Sequence, residues 1–140
     1  MIYLDTSAVV PVFIREPASE AVDAWLESCS ETLVSSDWLV TEFASALSIK
    51  VRRGEINTKQ AAAAWKDFGD FCTSGLRLLP VSRTVFEDAA TMTRQASSGL
   101  RAGDSLHMAV VLEAGIKELA TADEVLARNA KAKGLSVTMF

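Results

Sequence analysis

The sequence predicts an α/β fold, a three-layer α/β/α sandwich around a central parallel sheet of about five strands. Short apolar runs alternate with longer amphipathic segments, turn residues fall between them, and helix-like sequence separates every pair of strand-like runs. Parallel neighbours need a crossover of a dozen or more residues, and helices packed on both faces of the sheet supply it. A chain of 140 residues is about the size of one ordinary domain, so a single domain spanning 1–140 is expected, without a linker.

In chain order, Ile2 to Leu4 is the first strand, and Ser7 to Ile14 and Pro17 to Ser28 are the first two helices, with Pro17 at a first helical position. Thr32 to Ser35 is the second strand. It leads into a helix over Trp38 to Arg53 with Asp37 as its expected N-cap, followed by a helix over Thr58 to Thr73. Arg77 to Val81 is the third strand, and helices follow over Arg83 to Ser97 and Gly103 to Ala114. The strand Glu118 to Thr121, the helix Asp123 to Lys133 and the strand Ser136 to Phe140 complete the chain. Gly54, Gly75, Gly99, Gly115 and Gly134 stand at helix ends, where a left-handed cap is expected.

Composition narrows the function classes. No stretch approaches the roughly 18 uninterrupted apolar residues of a membrane span, and no basic stretch followed by a long apolar run opens the chain, so a soluble, cytoplasmic protein is expected. The two cysteines, Cys29 and Cys72, form neither a disulfide framework nor a paired-cysteine metal motif, and a single histidine excludes a site built from several imidazoles. The net charge of −4 argues at first against nucleic acid, which selects a basic excess. Of the 18 acidic residues, however, four are candidate metal ligands, and the remaining 14 match the 14 Lys and Arg.

Those four are Asp5, Glu42, Asp104 and Asp123. In open parallel sheets, ligands bind beyond the carboxyl ends of the strands. Asp5 follows the first strand directly, and Asp123 stands likewise after the strand ending in Thr121. On a helical projection of Trp38 to Arg53, Glu42 falls on one arc with Trp38, Leu39, Phe43, Ala44, Ala46 and Leu47, so it interrupts the apolar face. An ionised carboxylate buried there without a partner costs several kcal/mol, so something cationic must compensate it. Asp104 opens a helix whose remaining polar residues are only Ser105, His107 and Glu113. Each acid has an ordinary alternative: Asp5, Asp104 and Asp123 as helix caps, and Glu42 in an ion pair with Lys50 or Arg53. Gathered at one sheet edge, four carboxylates would repel, and a hard divalent cation, Mg²⁺ or Mn²⁺, resolves the repulsion. His107 shares a face with Asp104 and reads either as a satisfied structural histidine or as a contact to metal or substrate.

With Ile2-Tyr3-Leu4-Asp5-Thr6-Ser7, Thr41-Glu42, Arg101-Ala102-Gly103-Asp104-Ser105-Leu106-His107 and Leu119-Ala120-Thr121-Ala122-Asp123 in this order and spacing, the whole chain resembles the PIN-domain ribonucleases, specifically the VapC-type toxins of toxin-antitoxin pairs. The resemblance implies a PIN-like fold and Mg²⁺-dependent hydrolysis of RNA, with Asp5, Glu42, Asp104 and Asp123 as the acids and Thr6 and Thr121 as supporting hydroxyls. It also implies a homodimer and a small antitoxin partner. Arg101, just before the helix of Asp104, is the candidate substrate-facing cation. Trp25, Trp38, Trp65, Phe68 and Phe71 suggest an apolar groove on the early helices for an antitoxin helix, although aromatics also fill cores.

Two other folds with acids at strand ends fit less well. A haloacid-dehalogenase-type phosphatase needs a second Asp where Ser7 stands. A receiver domain needs paired acids beside Asp5 and a lysine beyond a late strand, whereas Lys131 and Lys133 fall in the last helix. The remaining alternative is a catalytically silent PIN-like module that only binds its partner.

Overall fold

A computed structural model describes all 140 residues. Its elements are β1 (Ile2–Leu4), α1 (Thr6–Phe13), α2 (Ser19–Ser28), β2 (Leu33–Ser36), α3 (Asp37–Arg52), α4 (Thr58–Ser74), β3 (Arg77–Leu79), α5 (Arg83–Thr93), α6 (Ala102–Glu113), β4 (Glu118–Thr121), α7 (Glu124–Ala132) and β5 (Ser136–Met139), with a 3₁₀ turn at Ala96–Ser98. The five strands form one sheet in the order β3-β2-β1-β4-β5, and every pairing is parallel.

The two-residue alternation of a strand divides the core. In β1, Tyr3 faces a cluster built with Val34, Leu119 and the buried sides of α5, α6 and α7. Its neighbours Ile2 and Leu4 face the opposite cluster, built with Val9, Leu39, Phe43, Ala64 and Phe68 of α1, α3 and α4. Helices therefore cover both faces. Helix α6 is the most enclosed, with Asp104 to Val111 buried without interruption, as its apolar sequence requires. No helix is long and apolar enough to cross a membrane.

The structure departs from the sequence reading mainly at element boundaries. Pro17 lies in a turn, and α2 starts at Ser19, whose buried hydroxyl donates to the free Pro11 carbonyl at 2.6 Å and accepts the Glu16 N–H at 2.9 Å. Asp37 is the first helical residue of α3, because Ser36 is the last extended one and takes the N-cap position. The helix expected over Arg83 to Ser97 ends at Thr93, since Gln95 leaves helical conformation (φ −79°, ψ 83°) before the 3₁₀ turn. Strand β3 stops before Pro80, which has no N–H for the ladder. Gly54, Gly99, Gly115 and Gly134 take φ between 66° and 82°, but Gly75 ends α4 at φ −123°, so no left-handed cap forms there. Ala44 is exposed, and the buried stripe of α3 narrows to Leu39, Phe43 and Leu47.

Of the five aromatics of the expected groove, only Phe68 is fully buried, and Trp25, Trp38 and Phe71 pack partly buried against the two core clusters. Phe68 is 2% exposed and stacks on Phe43 with ring centroids 4.0 Å apart, and Phe13 packs edge-on against both. Phe71 joins the same cluster, Trp25 packs on Phe140, and Trp38 packs against the opposite cluster. Of the five, only Trp65 is exposed, because α4 turns Phe68 and Phe71 toward the sheet and leaves Trp65 at the rim. Cys29 and Cys72 are free and half-buried.

Candidate active site

The strand order reverses at β1: the chain runs outward to β2 and β3, then returns to place β4 on the other side. Such a reversal opens a crevice beyond the carboxyl ends of the two strands that flank it. Asp5 follows β1 and Asp123 follows β4, so the crevice lies between them. Asp5, Glu42, Asp104 and Asp123 all line one cavity of about 410 Å³ there, together with Thr6, Ser7, Glu16, Lys50 and Arg101.

Asp5 is buried at 4% exposure and serves as the N-cap of α1, where it accepts the Ala8 N–H at 3.2 Å. The Ser7 hydroxyl donates to it at 2.8 and 2.9 Å. Burial pushes the Asp5 carboxyl up to about 6, against the opposing pull of His107 and of the hydrogen bonds from Ser7, Ala8 and Thr121. Ser7 also joins the two strand ends. Its oxygen accepts the Ala122 N–H at 2.8 Å and lies 3.1 Å from the Thr121 hydroxyl, which in turn accepts the Asp123 N–H at 2.9 Å.

Asp104 and Asp123 share a cation. Asp104 accepts the Arg101 backbone N–H at 3.1 Å and its Nε at 3.3 Å. Asp123 caps α7 by accepting the Leu126 N–H at 2.8 Å and lies 3.4 Å from Arg101 Nη2. The local capping role and the shared site therefore coexist at Asp5, Asp104 and Asp123.

Glu42 does not pair with Lys50 or Arg53. Lys50 bridges Glu16 and Glu55, and Arg53 lies 3.9 Å from Glu55. Instead the Thr6 hydroxyl donates to Glu42 Oε2, and His107 Nε2 lies 2.9 Å from the same oxygen. Burial alone would raise the Glu42 carboxyl. The His107 hydrogen bond and charge, the Thr6 hydroxyl and the neighbouring Trp38 indole outweigh it and hold the carboxyl below its usual range. The Trp38 N–H itself closes no hydrogen bond.

Sequence reasoning missed Ser7, Glu16 and Lys50 as lining residues and left His107 undecided. The position of Ser7 two residues after Asp5 was a usable signal; nothing in the spacing of Glu16 or Lys50 was. As the side chains stand, no three His, Cys, Asp or Glu groups are gathered closely enough to enclose an ion. Their oxygens are turned onto Arg101, His107 and the hydroxyls just described. The donor chemistry nonetheless fits a hard cation: four carboxylates face one cavity, two of them already hold a cationic guanidinium, and a third is a buried acid.

Among solved structures, the chain is similar to VapC20 of Mycobacterium tuberculosis, a sarcin-ricin loop cleaving toxin (TM-score 0.74, 17% identity, covering 92% of this chain and 95% of that one). It is also similar to VapBC2 of Rickettsia felis bound to a fragment of its promoter DNA (0.68, 17%, covering 99% and 98%) and to a toxin-antitoxin complex of Klebsiella pneumoniae (0.60, 12%, covering 88% and 87%). No curated protein matches the chain. The PIN domain model matches residues 2–132, nearly the whole chain, a span that contains the four acids, and on that match the chain belongs to the PIN domain family.

Proposed function

We propose that the chain is a metal-dependent ribonuclease and the toxin of a type II toxin-antitoxin pair. The observation that carries the reading is the convergence of Asp5, Glu42, Asp104 and Asp123 on one cavity at the strand-order reversal. Asp5 and Asp104 would hold Mg²⁺, or Mn²⁺ in its place, with Glu42 completing the shell and Asp123 holding a second ion or a ligand water. The ion supplies activation of water and neutralisation of charge on the phosphodiester oxygens. The protein's own part is to hold the acids in place: Ser7 donates to the Asp5 carboxylate and meets the Thr121 hydroxyl, which accepts the Asp123 backbone N–H, the Leu126 N–H fixes the Asp123 carboxylate, and Thr6 orients Glu42. The test is cleavage of RNA by the purified chain in Mg²⁺ and in excess EDTA. Equal cleavage in both overturns the metal mechanism, and no cleavage with either ion leaves the silent binding module.

Arg101 is the substrate-facing cation in this reading. Its side chain is 79% exposed and bridges Asp104 and Asp123, so it can turn from the acids to an RNA phosphate at the cavity mouth. Arg101→Ala is expected to weaken RNA binding and to reduce the slope of log affinity against log salt by about one. Titrations at several salt concentrations check this, and unchanged affinity throughout removes Arg101 from the interface.

The solved structures it resembles include a toxin-antitoxin complex, which supports the partner; the homodimer rests on the family resemblance. We expect a homodimer and a small antitoxin encoded beside this chain. Light scattering should give twice the 15.1 kDa chain mass, and the product of the adjacent reading frame should co-purify. A strict monomer that ignores that product would refute both expectations without touching the nuclease reading.

A further inference from the structure

Behind the acids lies a second set of buried polar groups that metal ligation does not account for. Tyr3 and Ser36 are 0% exposed and His107 is 1% exposed. Polar groups buried this deeply are tolerated only when hydrogen-bonded. These three form one chain: the Tyr3 hydroxyl donates to Ser36 Oγ at 2.9 Å and lies 2.8 Å from His107 Nδ1, while His107 Nε2 lies 2.9 Å from Glu42 and 3.1 Å from Thr6 Oγ1. The chain runs from β2 through β1 and α6 to α3, and it reaches the cavity at the carboxylate of Glu42 and the hydroxyl of Thr6 that donates to it.

Two further observations bear on its purpose. Ser36 stands at the N-cap of α3, where a serine side chain ordinarily accepts a backbone N–H, yet it makes no capping bond and is turned to Tyr3. At the other oxygen of the Glu42 carboxylate, Gly103 in the first turn of α6 leaves no room: any Cβ there would overlap Glu42 Oε1. The carboxylate is thus held between an imidazole and a backbone wall.

Resting on the metal-site reading above, we propose that His107 is a positioning residue, its ring fixed by Tyr3 and Ser36, that holds the Glu42 carboxylate in the orientation a divalent cation requires. Residues that orient ligands in this way commonly change metal affinity by about 10–100-fold when removed. A histidine that only filled the core would affect stability and leave ion affinity alone.

The experiment measures Mn²⁺ binding to the RNA-free protein by electron paramagnetic resonance of the free ion, for the unsubstituted chain, His107→Leu, His107→Gln and Tyr3→Phe. Melting in EDTA reports folding separately. His107→Leu should bind Mn²⁺ about 10–100-fold more weakly. His107→Gln, which keeps an N–H within reach of Glu42, should recover most of that loss, and Tyr3→Phe should lose a few-fold. Unchanged affinity in folded His107→Leu overturns the proposal, and so does a Gln variant no tighter than the Leu variant. If His107→Leu does not fold, Tyr3→Phe decides by the same criterion. Failure of the unsubstituted chain to bind Mn²⁺ would remove the metal reading and this proposal together, whereas unchanged affinity in the variants removes only this one.

Discussion

Asp5→Asn and Asp104→Asn are each expected to lower RNA cleavage in Mg²⁺ by at least about 100-fold while the chain stays folded. Residues that merely orient a ligand cost about 10–100-fold, and a direct ligand should cost no less. The fold should tolerate both changes because the local roles survive. Asn caps helices about as well as Asp, so the amide oxygen at position 5 can still accept the Ala8 N–H that starts α1. At position 104 it can still accept the Arg101 backbone N–H. What is lost is the charge that holds a cation. Initial rates on RNA, read beside circular-dichroism melts, separate the two effects. Cleavage within a few-fold of the unsubstituted chain in both variants would remove these acids from the chemistry.

Without metal, Asp5→Asn should be more stable than the unsubstituted chain at pH 7, and the difference should vanish as the pH falls toward 4. The folded chain raises the Asp5 carboxyl from 3.8 to about 6, chiefly through burial. It therefore binds that proton more tightly than the unfolded chain, so this group stabilises fully below the unfolded value and loses its contribution as pH rises through about 6. At about 1.4 kcal/mol per unit, the ionised carboxylate costs up to about 3 kcal/mol at pH 7. Glu42 has the opposite sign, since its carboxyl is lowered and its contribution disappears in acid, so the difference between the two proteins is the quantity to follow. Thermal melts in EDTA between pH 4 and 8 measure it. A gap that stays constant across that range would show that Asp5 is not the titrating group. Added Mg²⁺ should raise the melting temperature of the unsubstituted chain alone, by mass action on the folded state.

Much of the molecule was legible in the residues because it is local. The alternation in β1, the apolar run of α6 and the positions of Asp5 and Asp123 just after their strands follow from side-chain periodicity and from the unpaired N–H groups of the following helices, both of which act within a few residues. Boundaries were read less well where a side chain found a distant partner. Ser36 was not seen as the start of α3, and its hydroxyl goes to Tyr3, 33 residues away.

By itself the sequence determined the five strands, the helices between them and four acids near strand ends or on an apolar helix face. Tertiary structure decided what those acids meet. Lys50 and Arg53 were the neighbours of Glu42 by spacing, yet its partner is His107, 65 residues on. Arg101, three residues before Asp104, reaches Asp123, 22 residues on, and four of the five aromatic side chains that suggested an outer groove pack in or against the core. The physical reason lies in the strand order β3-β2-β1-β4-β5. Periodicity tells each strand and helix which side to bury, but the same pattern suits several orders of strands. The choice among them is made by the packing of the whole chain, and that choice places β1 beside β4 and brings the acids to one cavity.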